Sequence, residues 1–127
     1  MPIKQFLLNN KNGIIVKLAS FGARIVSIIT PDKNGLFEDI VLGYDSVDEY
    51  LDDKLYMGCI VGRYANRISK GKISINRKTY LLSQNDGENT LHGGFQGLDK
   101  KIWDAEKVGN NVRMNYCSED GEEGFQG

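Results

Sequence analysis

The sequence predicts an all-β protein, an antiparallel β-sandwich with one short helix. Glycine accounts for 15 of the 127 residues, and so much glycine is typical of chains with many tight turns. Short apolar runs rich in β-branched residues recur between turn signals, and their close spacing predicts antiparallel strands. No repeat, low-complexity tract or linker divides the chain, and its length fits one domain or part of one.

Three strands are predicted in the first part of the chain. Apolar runs at residues 5–8 and 14–19 flank Asn12-Gly13, a dipeptide that favours a hairpin turn because both residues tolerate positive φ. Residues 24–29 are rich in β-branched side chains and predict a third strand, which the turn-forming residues 31–35 interrupt.

A short strand and the helix follow. Residues 39–42 predict the strand. Ser46 precedes Glu49 by the three residues of a capping box, which predicts a brief helix whose apolar contacts come from Tyr50 and Leu51. The apolar run at residues 56–61 is predicted to be buried.

Two further hairpins complete the pattern. Residues 72–75 and 78–82 flank Asn76-Arg77, and Ile73 and Ile75 alternate with polar neighbours as in a half-buried strand. Residues 103–108 and 112–117 flank a Gly-Asn-Asn turn. A sheet ending here leaves open edges, which native proteins pair or cover, so the pattern favours part of a larger sheet.

The composition excludes several classes of protein. Lys and Arg total 16 and Asp and Glu 17, giving a net charge of -1, which argues against binding to nucleic acid or to an anionic membrane. No window approaches the roughly 20 apolar residues of a membrane span, and the first residues lack the apolar stretch of a signal peptide. We therefore expect a cytoplasmic protein with reduced thiols. Cys59 lies in an apolar run and is expected to be a buried free thiol, although spacing alone leaves a disulfide with Cys117 open.

No motif indicates a cofactor or a metal ion. One histidine and two distant cysteines do not give metal-ligand spacing, and the acidic residues 120–124 are too few for a calcium-binding loop. The chain contains no GxxxxGK phosphate loop, no GxGxxG between a strand and a helix, and no GxSxG. We expect no cofactor.

Two segments carry side chains suited to an uncharged sugar. Asn66 and Arg67 lie in Gly-Arg-Tyr-Ala-Asn-Arg-Ile at residues 62–68, and the only histidine, His92, lies in Leu-His-Gly-Gly at residues 91–94. Each sugar hydroxyl both donates and accepts, which suits an amide beside a guanidinium, and histidine exchanges protons near neutral pH. The glycines after His92 allow a sharp turn and a close ligand approach.

A simpler interpretation exists for each of these side chains. A lone histidine is more often structural than functional, and arginines next to Lys70 and Lys72 are more often part of a solvated basic stretch. The strand-like run that ends at the first segment, and the turn-prone residues before His92, favour the functional interpretation because they place the side chains on loops or strand ends.

These segments resemble those of the aldose 1-epimerase (galactose mutarotase) family. Residues 62–68 match the family's GRxANRI segment, and Asn85, Asn89 and residues 91–94 match its N…N-x-LHGG segment. Weaker similarity covers the rest of the chain, at Gly22-Ala23, Gly97, Trp103 and residues 120–125, while Gln126 departs from a common proline. The resemblance implies a galactose mutarotase-like sandwich, with residues 1–127 as the N-terminal part of a single, incomplete β-sandwich domain.

The resemblance also implies an isomerase that interconverts the α and β anomers of free hexoses such as galactose and glucose by acid/base ring opening. Asn66 and Arg67 are then expected to contact sugar hydroxyls, and His92 to assist near the ring oxygen. The family's catalytic acid is a second histidine and its base is a glutamate, and neither has a matching position in this chain. The family's sugar-binding aspartate has no matching position here either. The isolated chain is therefore expected to have little activity.

Two other functions fit the same residues. A non-catalytic sugar-binding β-domain uses Asn66, Arg67 and His92 for recognition alone. A hexose-6-phosphate 1-epimerase of the same superfamily needs extra basic groups around the phosphate, for which Arg24 and Arg63 are the candidates, although the LHGG match favours free sugars. The expected partner is a small-molecule aldose, without nucleic acid or membrane, and the residues give no indication of an oligomeric state.

Overall fold

The computed structural model describes residues 2–127, and within them all paired strands run antiparallel. This agrees with the predicted fold class. The strands are β1 Gln5–Asn9, β2 Ile15–Ala19, β3 Arg24–Pro31, β4 Phe37–Asp39, β5 Arg67–Ile68, β6 Lys72–Ile75, β7 Lys78–Leu81, β8 Thr90–Leu91, β9 Asp104–Val108 and β10 Asn111–Asn115. Short 3₁₀ helices span Val47–Asp52, Ser69–Gly71, Leu98–Lys100 and Glu122–Gly124.

The described residues form two compact units. The first comprises the chain up to Ile60 together with Ile102–Tyr116, and the second comprises Val61–Lys101 together with Cys117–Gly127. The first unit holds the four-stranded sheet β1-β2-β3-β4 and the hairpin β9–β10. The second holds the pairs β5–β8 and β6–β7.

Local turn chemistry explains the hairpins. Between β1 and β2, Gly13 has a φ of 84°, and the side-chain oxygen of Asn10 accepts from the N–H groups of Asn12 and Ile14, both at 3.0 Å. Between β6 and β7, Asn76 and Arg77 have φ values of 51° and 65°, as the tight turn of a two-residue hairpin requires. The hairpins predicted on both sides of these turns are confirmed, as is β9–β10.

The strand predicted at residues 39–42 was wrong, because β4 is Phe37–Asp39. The carboxylate of Asp39 accepts from the N–H groups of Ile28 and Val41, both at 3.0 Å, so a side chain takes the place of the next ladder bond. Ile40 and Leu42, which the prediction placed in a strand, are exposed.

The burial predicted for residues 56–61 was also wrong. Ile60 is 47% exposed, and the segment forms no strand of its own among the described residues. It runs beside the start of β3, where Ile25 N–H donates to Gly58 O and Ile60 N–H to Gly22 O, both at 2.9 Å. Within the segment, Met57 is half-buried and packs against the core of the first unit, while Ile60 lies at the surface. Cys59 forms no disulfide, as predicted, but it is only half-buried, and Cys117 is exposed and also forms no disulfide.

The predicted capping box is present at the start of Val47–Asp52. Asp48 N–H donates to Ser46 Oγ at 3.3 Å, and Ser46 N–H donates to Glu49 Oε2 at 2.8 Å. Tyr50 is buried as expected and belongs to the core of the first unit, with Ala19, Phe21 and Val26. Leu51, the other predicted apolar contact, is 50% exposed because the short 3₁₀ helix turns only one face to the core.

A buried ion pair crosses this core. Arg24 Nη1 donates to Asp53 Oδ2 at 2.7 Å, both side chains are fully buried, and the guanidinium lies 4.7 Å from the centre of the Tyr50 ring. Asp53 also accepts from the N–H groups of Leu55 at 2.9 Å and Met57 at 3.0 Å. Burial by itself raises the pKa of Asp53, but the hydrogen bonds from Arg24 and the two amides outweigh it and hold that pKa below its usual value.

The second unit is built around buried Leu82, Thr90 and Phe125. Leu82 N–H donates to Gly71 O at 2.8 Å, and Thr90 Oγ1 donates to Ser83 O at 2.7 Å. These bonds fix the chain that leads into β8. Within residues 2–127, no helix is long and apolar enough to cross a membrane.

Candidate functional site

Strands β5 and β8 lie side by side in the second unit and bring together the two segments that the sequence predicts to bind a sugar. They are only two residues long each, with Arg67 opposite Leu91 and Ile68 opposite Thr90. Sequence reasoning missed both strands, because two residues carry no periodic signal. Their pairing places Asn66, just before β5, next to His92, just after β8.

Asn66 and His92 are joined by two hydrogen bonds. The backbone N–H of His92 donates to Asn66 O at 3.1 Å, and the backbone N–H of Asn66 donates to His92 Nδ1 at 2.9 Å. Because Nδ1 is an acceptor here, the hydrogen of the neutral imidazole belongs on Nε2. The half-buried histidine ring is thus held in one tautomer, with its N–H at Nε2.

The backbone at this junction is left-handed. Asn66 has a φ of 67° and His92 a φ of 51°, a region that asparagine and histidine adopt more often than most other side chains. Asn66 Oδ1 accepts from Arg67 N–H at 2.9 Å, so the side-chain oxygen supports the turn. The Nδ2 group of Asn66 makes no hydrogen bond within residues 2–127.

Arg67 is an exposed side chain held by a carboxylate. Its Nε donates to Asp86 Oδ2 at 2.7 Å, with 57% of the arginine side chain and 35% of the aspartate side chain accessible. Within residues 2–127, the two terminal nitrogens of Arg67 make no hydrogen bond. Sequence reasoning did not single out Asp86. The available signal was an acid directly after Asn85, inside the segment that carries the resemblance.

Asn85 is a structural clamp for the His92 loop. Its Nδ2 donates to Leu91 O at 2.9 Å and to Gly94 O at 3.1 Å, while its Oδ1 accepts from Leu91 N–H at 2.7 Å. One amide thereby satisfies three backbone groups on either side of the histidine. Asn89 also bonds the backbone through its side chain, but at a different position, because its Oδ1 accepts from Lys70 N–H at 3.2 Å.

The two glycines after His92 are required by packing. Gly93 has a φ of 93°, and a Cβ atom added there would lie 1.7 Å from Gly62 O. Gly94 has a φ of 102°, and a Cβ atom there lies 2.2 Å from the carboxylate of Glu123. Only glycine fits where the His92 loop passes this close to its neighbours.

Residues 118–125 brace the same loop from another side. The carboxylate of Glu123 accepts from the N–H groups of Phe95 and Gln96, both at 3.0 Å. Arg63 donates to Ser118 Oγ at 2.8 Å, to Glu119 O at 2.5 Å and to Phe125 O at 3.3 Å. Arg63 therefore holds this segment in place.

The two arginines suggested for a sugar phosphate have other roles. Arg24 is fully buried in the first unit against Asp53, and the guanidinium of Arg63 is used on residues 118–125. An anion-binding arginine must reach its ligand. The structure therefore gives no support to a phosphate site at these positions. Within residues 2–127, no group of three or more His, Cys, Asp or Glu side chains could hold a metal ion.

The sequence and the fold together define the class of this protein. The sequence model of the aldose 1-epimerase family matches residues 4–127, and the chain belongs to this family. This confirms the predicted resemblance.

Individual relatives give the same result. The chain is 42% identical to the galactose mutarotase of Bos taurus over 88% of its own length and 33% of the relative's. It is 35% identical to the aldose 1-epimerase of Escherichia coli K12, covering 99% of this chain and 37% of that protein. The chain thus spans about a third of the length of the curated relatives it matches.

Solved structures confirm the predicted sandwich fold class. The crystal structure of a GalM/aldose epimerase homologue from C. elegans superposes with a TM-score of 0.90 at 33% identity, covering 97% of this chain and 38% of that one. A galactose 1-epimerase from Lactobacillus acidophilus NCFM superposes over 100% of this chain and 42% of its own, with a TM-score of 0.82. At 24% identity, this second likeness concerns the fold alone.

Proposed function

We propose that this chain supplies the sugar-holding part of an aldose 1-epimerase that interconverts the α and β anomers of free hexoses such as galactose and glucose. The observation that carries the proposal is the pair of hydrogen bonds between Asn66 and His92, beside the exposed Arg67. These bonds hold the Asn66 backbone to His92, and Arg67 follows directly in the chain. An amide, an imidazole and a guanidinium carried by adjoining segments suit a ligand covered with hydroxyl groups.

Each side chain has a proposed role. Arg67 donates from its terminal nitrogens to hydroxyl oxygens, and Asn66 donates from Nδ2. His92 donates from Nε2 to the ring oxygen, a direction that follows from its Nδ1 accepting the Asn66 N–H. A donor at that position binds the sugar and stabilises the negative charge that develops on the ring oxygen as the ring opens.

The complete reaction needs two proton transfers. A base removes the proton from the anomeric hydroxyl and an acid protonates the ring oxygen, after which the C1–C2 bond rotates and the two roles reverse on closure. Each transfer by a positioned group contributes about 10²–10⁴-fold in rate. We propose that the principal acid and base are not among residues 1–127, so that this chain alone binds sugar and accelerates mutarotation little.

The first test is polarimetric and compares the chain with buffer during mutarotation of α-galactose and α-glucose. It is paired with a titration of the chain with D-galactose. Arg67→Ala and His92→Asn should weaken galactose binding by about threefold to tenfold, the range of a lost hydrogen bond. Asparagine is chosen at position 92 because it tolerates positive φ and keeps an acceptor for Asn66 N–H while removing the Nε2 donor.

A matched control is available for Arg67. Arg113 is 64% exposed and pairs with Glu106 at 3.4 Å in the first unit, so Arg113→Ala also removes an exposed arginine that pairs with a carboxylate. It should bind galactose like the parent chain. No galactose binding by the parent chain, or equal losses in Arg67→Ala and Arg113→Ala, would refute the proposed site. A strong acceleration by the parent chain would contradict the absence of the acid and base.

The rival function is a non-catalytic sugar-binding domain, and binding by itself does not separate the two. A histidine and a glutamate encoded downstream in the same gene favour the epimerase, and their absence favours the binding domain.

We also propose that residues 1–127 form the N-terminal part of a single β-sandwich domain, supported by their match to about a third of each relative. A cytoplasmic location is proposed because the two cysteines form no disulfide, and imaging of the tagged protein in cells tests it.

A further inference from the structure

We propose that Asp86 is a positioning residue for sugar binding, whose carboxylate fixes the Arg67 guanidinium so that Nη1 and Nη2 form a ready-made fork for two hydroxyls of an uncharged sugar. The inference rests on the proposed function. It concerns a residue that is not among the predicted site residues Asn66, Arg67 and His92.

The first support is the geometry of the contact. Arg67 Nε donates to Asp86 Oδ2 at 2.7 Å, the length of a charge-assisted hydrogen bond. Binding the carboxylate through Nε keeps the planar guanidinium from rotating and uses one of its five donors. The donors of the two terminal nitrogens lie in the same plane, so they can meet two neighbouring hydroxyl oxygens together.

The second support is that the backbone of Asp86 is held by hydrogen bonds of its own. Asp86 N–H donates to Asn89 O at 3.1 Å, and Asn89 N–H donates to Asp86 O at 2.9 Å, which closes a two-residue turn. The preceding residue, Asn85, is fixed by its three hydrogen bonds to the His92 loop. The carboxylate is therefore carried by the same short segment that holds the histidine in place.

The third support is energetic. With 57% of Arg67 and 35% of Asp86 accessible, the pair is screened by solvent and contributes little to stability. Its effect is expected in binding instead, because a long arginine side chain loses rotamer freedom when it grips a ligand. A carboxylate that orders the side chain beforehand reduces that loss. It also offsets the arginine's charge, which suits a neutral sugar better than a sugar phosphate.

The experiment is a double-mutant cycle on the full chain, with D-galactose as the probe. It compares the parent, Asp86→Ala, Arg67→Ala and the double variant, with Asp86→Asn as the conservative variant and Glu106→Ala as the control for loss of an exposed carboxylate partner. Asp86→Ala should weaken binding by about threefold to tenfold in the parent and by less than about twofold in Arg67→Ala. Asp86→Asn, which keeps an acceptor for Nε, should recover part of the loss.

A ligand-free readout accompanies the cycle. The ¹H–¹⁵N signal of the Arg67 side-chain Nε–H should be sharp in the parent and should shift and exchange faster with water in Asp86→Ala. An unchanged signal overturns the inference. So does an equal loss of galactose binding by Asp86→Ala in both backgrounds, which points to a contact made independently of Arg67.

Failure of the proposed function has a different signature. The proposed function fails if the parent chain does not bind galactose, or if Arg67→Ala binds galactose as well as the parent does. The inference about Asp86 then fails too, whatever the Nε–H signal shows. If Arg67→Ala weakens binding while Asp86→Ala and Glu106→Ala do not, only the inference fails.

Discussion

Replacing Asp53 by alanine is expected to destabilise the first unit strongly. The change removes the carboxylate that Arg24 contacts at 2.7 Å, while the guanidinium stays buried. It also removes the acceptor for the backbone N–H groups of Leu55 and Met57 and for the Tyr44 hydroxyl at 3.2 Å. A charge and several polar groups are thereby left in the core without their partner.

The size of the effect follows from burial. Removing one partner of a buried ion pair costs about 3–5 kcal/mol. That is a large part of the roughly 5–15 kcal/mol that holds a typical domain folded. For a chain of this size it corresponds to a fall in melting temperature on the order of 15 °C. Asp53→Asn, which keeps the shape and one acceptor, should lose less than Asp53→Ala.

The assay is denaturant unfolding followed by circular dichroism, with the free energy of unfolding extrapolated to water. The control is Glu106→Ala, which removes the partner of Arg113 from a pair whose side chains are 60% and 64% exposed. Such exposed pairs contribute about 0–1 kcal/mol. If Asp53→Ala and Glu106→Ala lower the free energy of unfolding equally, the argument from burial is refuted.

The same pair gives a pH dependence with a definite sign. The pKa of Asp53 lies below its usual value in the folded chain, so its stabilising effect is complete above the unfolded pKa of about 3.9. The effect is lost as the pH falls through the lower, folded pKa. Stability should therefore drop in acid more steeply for the parent chain than for Asp53→Asn. Parallel acid profiles for the two proteins would contradict this.

The remaining predictions concern single positions. Gly93→Ala should prevent normal folding of the second unit, because its Cβ lies 1.7 Å from Gly62 O at a φ of 93°, and a parent-like NMR spectrum would contradict this. Arg63→Ala should speed amide hydrogen exchange at residues 118–125, which lose three hydrogen bonds, and parent-like protection would argue against that anchoring role. Ser46→Ala should lower the free energy of unfolding by about 1 kcal/mol through loss of the helix cap. A urea midpoint equal to that of the parent chain would contradict this.

Structure fixed by neighbouring residues could be predicted from the sequence. Positive φ occurs at Gly13 and Asn76, where glycine and asparagine tolerate it, so these two residues between apolar runs indicate both hairpins. The capping box at Ser46 is equally local. The candidate site residues could be proposed because Asn66, Arg67 and His92 lie in segments of strong family resemblance, and their roles remain predictions.

Structure set by a side chain reaching across the fold could not be predicted. Asp39 ends β4 early by accepting two backbone N–H groups, and nothing in its neighbours indicates that contact. Strands β5 and β8 exist as a pair of two-residue segments beside a loop that Asn85 clamps. Asp86 reaches Arg67 from 19 positions away. The hydrophobic pattern of a sequence indicates which side chains are buried and how strands alternate. The polar contacts of Asp39, Asn85 and Asp86 depend on neither property.

The single imidazole makes this site directly readable by spectroscopy. Because the chain has one histidine, a sample labelled with ¹⁵N in histidine alone gives one pair of ring-nitrogen resonances, which need no assignment by mutagenesis. An Nδ1 that accepts the Asn66 N–H should resonate as a pyridine-like nitrogen and Nε2 as a pyrrole-like one. The two resonances thus provide an internal reporter that follows the tautomer of His92 as sugars are added, without an attached probe.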